Sequence, residues 1–155
     1  MSMQTDSGAT HPMLSYTDKL ATQWTDFLLL AGRVILGWIF VMYGWTKLFG
    51  IPEYAATFPR RGLSSWMAYI AVPAEFFVGL ALILGFATRY AVLIMLFYMV
   101  VASFSSHTYW NVPEAQRVNQ MAHFWKNISM MGGMVLLFIT GAGRFSLDWM
   151  LAKKR

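Results

Sequence analysis

No cysteine occurs in the 155 residues. The chain therefore forms no disulfide, no thiolate metal site and no iron–sulfur cluster of its own. Any redox chemistry must come from a bound cofactor, a quinone or a partner subunit. Charge is the second scarcity. Asp, Glu, Lys and Arg together make up 12% of the chain, against roughly 25% in a typical soluble protein. A soluble fold of this length has more surface than so few charges can cover. That excludes an ordinary cytosolic enzyme and a disordered chain. Acids are scarcest, 7 against 12 bases, for a net charge of +5. The bases stand mainly at the ends of hydrophobic segments, at Lys19, Arg60, Arg61, Arg89, Arg117, Arg144 and the terminal Lys153, Lys154 and Arg155. No run is long enough to favour nucleic acid, and such positions suit phospholipid headgroups and topology signals. Histidine is rare as well: His11, His107 and His123 share no metal-ligand spacing, so no metal is expected.

Hydrophobic residues are abundant, at 57%, with aromatics at 17%. They fall into four runs, about 27–49, 65–87, 90–107 and 123–141. A membrane-spanning helix needs roughly 20 mainly apolar residues. The expected fold class is all-α, an integral membrane four-helix bundle occupying residues 27–149. A polar arm (1–26) precedes it and a basic tail (150–155) follows. The second and third runs are separated only by the residues around Thr88 and Arg89, so those helices are antiparallel neighbours. Within the arm, Met13, Tyr16, Leu20, Trp24 and Phe27 recur at helical spacing. They describe either an amphipathic helix on the membrane surface or a frayed leader to the first span. The arm is polar and the run after it too long for a signal-peptide core, so a retained signal anchor is expected. Four spans put both termini on one side with Lys19, Arg89, Arg144 and the basic tail. The positive-inside rule makes that side the cytoplasm.

Ionisable residues inside spans carry the most information, because each costs roughly 2.5–3.5 kcal/mol at a span centre. Arg33 lies in the first run, Glu75 in the second and Lys126 in the fourth; Lys47 and His107 close the outer ends of the first and third. At about 100° per residue, Arg33, Gly37, Phe40, Gly44 and Lys47 share one face of the first helix. Ala71, Glu75, Gly79, Leu82, Phe86 and Arg89 share one of the second. Leu96, Val100, Ser103 and His107 align on the third, and His123, Lys126, Ser129, Gly133 and Thr140 on the fourth. Small residues accompany the polar ones, and small residues let helices approach closely, so these faces should point inward. Counting depth along the runs puts Glu75 near mid-membrane and Arg33 a little nearer the cytoplasm.

Two readings of these residues stand side by side. In one, Arg33 and Glu75 form a buried pair that locks two helices. Trp45, Tyr54, Trp66, Tyr69, Tyr109, Trp110 and Trp125 then form an interfacial belt, and Lys47 and Lys126 snorkel. In the other, Glu75 is the floor of a pocket with Lys47, His107 and Lys126 at its mouth and aromatic rings as walls. Such a pocket suits a quinone, a phenolate or another flat anion, and a carboxylate at that depth is placed to move protons. Gly141-Ala142-Gly143-Arg144-Phe145-Ser146 begins like a dinucleotide fingerprint but follows no strand; it reads as a glycine C-cap and turn. Ser103, Ser105 and Ser106 lack a nucleophile elbow and read as serines bonded to helix carbonyls.

The pattern from about Leu30 to Asp148 resembles the DoxX family of small bacterial four-helix membrane proteins. Four motifs carry the resemblance. They are Gly32-Arg33-Val34 through Gly44-Trp45-Thr46-Lys47-Leu48-Phe49-Gly50; Glu75 and Gly79 followed by Leu84-Gly85-Phe86-Ala87-Thr88-Arg89; His107; and Gly141-x-Gly143-Arg144-x-Ser146-Leu147-Asp148. Lys126 and the stretch from Tyr109 to Gln120 fall outside it. The resemblance implies a bacterial inner-membrane protein linked to quinone-dependent oxidation, redox stress and partner oxidoreductases. The expectation is a membrane subunit in which Arg33, Lys47, Glu75, His107 and Lys126 contact a quinone-type cofactor, with Glu75 as the catalytic candidate. The alternatives are a non-catalytic scaffold recruiting a soluble enzyme, and a small organic-anion transporter working as a homo-oligomer.

Overall fold

The computed structural model describes residues 12–154, with side chains from Ser15 onward. The polar leader up to His11 and the terminal Arg155 lie outside the described residues. Among those described, the chain forms six α-helices and no strand: α1 (Pro12–Leu48), α2 (Ile51–Ala55), α3 (Ala68–Leu84), α4 (Thr88–Ser106), α5 (Glu114–Thr140) and α6 (Leu147–Lys153). Three helical stretches are long and apolar enough to cross a membrane, Ser15–Leu48, Ser65–Leu84 and Thr88–Asn111. The fourth expected run does not meet that standard. It lies in α5, whose first half, from Glu114 to Asn127, is polar.

α1 is one unbroken helix of 37 residues. The arm from residue 12 onward is therefore continuous with the first span and not separated from it by a break. No glycine or proline interrupts it before Gly32, and the Tyr16–Leu20–Trp24–Phe27 stripe continues its turns. α5 likewise starts nine residues before the expected His123. Pro113 at its N-cap and Glu114 in its first turn open it, and Glu114 pairs with Arg117 at 2.6 Å. These residues form a good helix without hydrophobicity, so hydropathy alone passes over them.

α3 packs antiparallel along α1, α4 returns against α3, and α5 packs on α4 and back against α1. The α1–α3 crossing is the tightest. A β-carbon on Gly79 would stand 2.8 Å from Phe40 Cβ and 3.2 Å from the Gly37 carbonyl oxygen, and one on Gly44 would stand 2.8 Å from Phe76 Cα. The shared core holds Phe40, Leu82, Val92, Met95, Met99, Met134 and Leu137. Large apolar side chains cover the outside instead; Ile35 is 74% and Phe97 72% exposed. Such a surface suits hydrocarbon and not water.

The expected inward faces hold along α1 and α3 themselves, where Arg33, Gly37, Phe40 and Gly44, and Glu75, Gly79 and Leu82, are all buried; Phe86 and Arg89, expected on the same face, lie past the end of α3 and are exposed. Those of α4 and α5 are rotated. In α4 the buried line is Val92, Met95, Met99 and Ser103, while Val100 faces out. In α5 it is Phe124, Met134 and Leu137, while Lys126, Ser129 and Thr140 are exposed.

One end of the bundle is closed by a latch. α3 stops at Gly85 in the left-handed region (φ 66°), with Gly85 N–H donating to Leu82 O and Phe86 N–H to Ala81 O, a Schellman closure. Ala87 also has positive φ (46°). Asp148 sustains this turn: its carboxylate accepts from the N–H groups of Ala87 at 2.6 Å and Thr88 at 2.9 Å, capping α4, while its own N–H donates to Gly85 O. The glycine-rich segment before it is the expected C-cap and turn, with Gly141 and Gly143 at φ 76° and 73°. Ser146 then caps α6 by accepting from Trp149 N–H. Replacing Asp148 by alanine strands two helix-terminal donors. The expected cost is about 1–2 kcal/mol, read as a lower midpoint of thermal unfolding in detergent. An unchanged midpoint would mean that water replaces the carboxylate at no loss.

Candidate functional site

The other end of the bundle holds a cavity of about 650 Å³. Lys47, near the end of α1, reaches Glu75 on α3, with Nζ 2.6 Å from Oε2. The carboxylate is nearly enclosed, its residue only 5% exposed. Tyr98 of α4 brings its hydroxyl beside the same carboxylate. The segment after α1 folds back over this pair. α2 and the turn at Pro59–Arg61 bury Ala55 and Phe58 and so fix Tyr54 and Arg61. The Tyr54 ring lies between two cations, Lys47 Nζ at 5.0 Å and the Arg61 guanidinium at 5.1 Å from its centroid. Arg61 also donates to the Tyr54 hydroxyl and to Ser106 Oγ.

α4 and α5 supply the opposite wall. His107 and His123 stack with ring centroids 5.1 Å apart. His107 Nδ1 bonds Gln120 Oε1 at 2.9 Å, and Lys126 Nζ lies 3.3 Å from His123 Nδ1. Deeper in, Asn127 donates to Ser103 Oγ, which donates to Met99 O, the carbonyl bond expected of a membrane serine. Four of the five expected site residues, Lys47, Glu75, His107 and Lys126, thus line one cavity. Among the described residues no group of three metal-ligating side chains exists.

Arg33 is the exception. It does not pair with Glu75. Its guanidinium is fully buried at the latch, where it donates to the carbonyls of Leu82, Ile83 and Phe145. Arg33 and Lys47 are fourteen residues apart along one continuous helix, about 21 Å at 1.5 Å per residue. No arginine side chain spans that distance. Glu75 stands at the middle of α3 (Ala68–Leu84), as counting depth along the runs expects, but Arg33 lies level with Leu82 and Ile83, about two turns further along that helix. The aromatic walls agree with expectation only in part. Trp45, Trp66, Trp110 and Trp125 are more than half exposed, as an interfacial belt would be; of the rings singled out in the sequence Tyr54 lines the cavity, together with Phe40, Tyr43 and Tyr98.

Sequence reading missed Arg61, Tyr98, Gln120 and Asn127. Arg61 read as an edge cation, and only the fold of the α2 segment turns it inward. Asn127 was within reach: it sits one residue from Lys126, on the face that Phe124, Met134 and Leu137 define.

Comparison with known proteins agrees with this architecture. The DoxX family model matches residues 28–108, from early α1 through the end of α4. The chain is 34% identical over 123 residues to the inner membrane protein YphA of Escherichia coli (strain K12), covering 78% of this chain and 88% of that protein. It is 32% identical over 129 residues to the inner membrane protein YqjF of the same organism, covering 83% and 95%. A Surfeit locus protein 4 homolog of Drosophila melanogaster is 22% identical over 125 residues, 79% of this chain and 40% of that protein. No solved structure matches. With three membrane-capable helices and inner-membrane relatives of nearly its own length, this chain is a membrane protein and belongs to the DoxX family.

Proposed function

We propose that the protein is an inner-membrane quinone-binding partner of an oxidoreductase, with the cavity between Glu75 and His107 as its headgroup site. In this reading α5 is the fourth span: its second half, from Ile128 to Thr140, is apolar and completes a four-helix bundle. Both termini lie in the cytoplasm and the cavity opens toward the opposite face. The observation that carries the reading is the enclosed Lys47–Glu75 ion pair with the Tyr98 hydroxyl beside it. A buried carboxylate held by a cation at a cavity wall is costly unless it is used.

The residues present fit a quinone headgroup. The volume lies in the range of small-molecule sites, roughly 300–1,000 Å³. Lys47, Arg61 and Tyr98 offer donors to carbonyl oxygens, and the rings of Tyr43 and Tyr54 offer flat contact. A bound quinone would supply two-electron chemistry, with electrons from the partner enzyme. The chain's own contribution is to orient the headgroup, exclude lipid and hold a proton at the Glu75 carboxylate.

Purified protein in detergent is expected to bind a decyl-tailed ubiquinone analogue by calorimetry. Glu75→Gln removes the charge that holds Lys47 and is expected to weaken binding at least tenfold, a loss of about 1.4 kcal/mol. No binding to the wild type overturns the proposal; equal binding to the variant overturns the role given to Glu75 in it.

One feature favours a second reading, transport of an organic anion. Among the described residues lining the cavity, Glu75 is the one acid, while Arg60, Arg61, Lys47 and Lys126 are all basic. Uptake of a carboxylate into proteoliposomes, absent from protein-free vesicles, would decide for it.

A further inference from the structure

The polar cavity does not end at its α3–α4 wall. Tyr54, Arg61, Tyr98, Ala102, Ser105 and Ser106 line it and also line a second hollow of about 270 Å³ between α3 and α4. The character changes across that shared wall. The second hollow is apolar, built by Phe58, Trp66, Ile70 and Ala74 on one side and Ile94, Phe97 and Val101 on the other. Its rim faces outward, with Trp66 and Ile70 each 63% and Phe97 72% exposed. Both flanking helices are membrane-capable, so the rim meets hydrocarbon. The shared wall includes the Arg61 side chain, hydrogen-bonded to the Tyr54 hydroxyl and to Ser106 Oγ, and the Tyr98 side chain.

We infer that this groove is a lateral port for an amphipathic ligand, whose apolar chain lies between α3 and α4 while its polar head occupies the cavity. The two hollows share a wall and are opposite in character, in the order that such a molecule needs; the Arg61 and Tyr98 side chains must swing aside for one molecule to occupy both. A polar solute would cross hydrocarbon to use this route, and a chainless ligand would leave the groove idle. The inference deepens the quinone reading and rests on the cavity being a headgroup site. It adds that the ligand is chained, that it arrives from the bilayer, and that α3 and α4 select the chain.

The experiment compares a decyl-tailed ubiquinone analogue with its tailless ring counterpart on wild type and on two variants, Ala74→Phe from α3 and Val101→Phe from α4. Both positions line the groove and neither lines the cavity. In detergent the alternative for the chain is the micelle and not water, so the groove holds it by fit, and a phenyl ring at either position occupies the space it needs. Filling the groove is therefore expected to weaken the tailed analogue at least tenfold and to leave the ring analogue within twofold. Retained ring binding also shows that the variants fold. If tailed binding is unchanged, or if both analogues weaken alike, the port is overturned; an ordinary phospholipid chain filling the groove gives the unchanged result. If the wild type binds neither analogue, the headgroup reading and the port fall together. If the groove variants discriminate but Glu75→Gln binds as wild type does, the port stands and the role given to Glu75 falls.

Discussion

Arg33→Leu is expected to cost roughly 3–5 kcal/mol and to leave little folded protein in detergent at ambient temperature. Arg33 has no solvent exposure, and its guanidinium is the donor for Leu82 O, Ile83 O and Phe145 O. The first two are carbonyls at the end of α3, where intrahelical partners run out. Leucine fills most of the volume but donates nothing; Leu82 O keeps the Gly85 N–H, while Ile83 O and Phe145 O lose the arginine, and each buried carbonyl left unpaired costs about 1–3 kcal/mol. The loss spreads beyond one contact. A β-carbon on Gly85 would collide with the guanidinium and with Ser146, so the arginine is the surface on which the α3–α4 turn and the approach to α6 are moulded. Arg33→Lys keeps the charge but loses the planar fork, and should fall between wild type and Arg33→Leu. Thermal unfolding of the three proteins checks the order. A wild-type midpoint for Arg33→Leu would show that the latch closes without it.

The second large effect is expected at the α1–α3 crossing. Gly79→Leu forces side-chain atoms against Phe40 Cβ, the Val41 nitrogen and the Gly37 carbonyl, all within 3.2 Å of a β-carbon at that position. Two of these are backbone atoms and have no rotamer to adopt. Overpacking costs typically 1–3 kcal/mol, and here the two helices must part, so about 3 kcal/mol is expected. Gly132→Leu is the control, because a β-carbon there meets nothing within 4 Å. The separation also reaches the site. Lys47 lies about one turn beyond Gly44, and Glu75 is next to Phe76, at the contact of those two helices, so their 2.6 Å pairing depends on the helices staying close. Gly79→Leu should therefore lower both the unfolding midpoint and affinity for the quinone analogue, whereas Gly132→Leu should change neither. Equal behaviour of the two variants would remove the crossing from this account.

These positions also show what a sequence can reveal inside a membrane. The inward faces of α1 and α3 were legible because Gly37, Gly44 and Gly79 share them with Arg33, Lys47 and Glu75. In α4 and α5 the polar residues misled. With lipid outside, an apolar side chain is equally content facing in or out, so hydrophobicity no longer marks the core. The true inner line there is marked by Met95, Met99 and Met134, soft side chains that fill irregular gaps. The gathering of Lys47, Glu75, His107 and Lys126 was legible from depth, and not from the faces assigned to α4 and α5. Arg33 was not, since its partners are backbone carbonyls, which every residue carries and no sequence distinguishes. The family-like motifs divide in the same way: Arg33, Gly85–Thr88 and Ser146–Asp148 build the latch, while Lys47, Glu75 and His107 stand at the cavity.

The unbroken length of α1 has a mechanical consequence. Asp26 is fastened to the segment after α5, accepting from the Arg144 N–H at 2.8 Å. Below that fulcrum the helix runs on to Pro12 without a hinge, about 21 Å at 1.5 Å per residue. A tilt of about 10° in the span therefore swings the far tip by about 4 Å, by the same geometry. Lys47, at the opposite end of the same rod, must move in the contrary sense. Whatever rocks α1 at the cavity is thus transmitted, reversed and undamped, to the start of the helix.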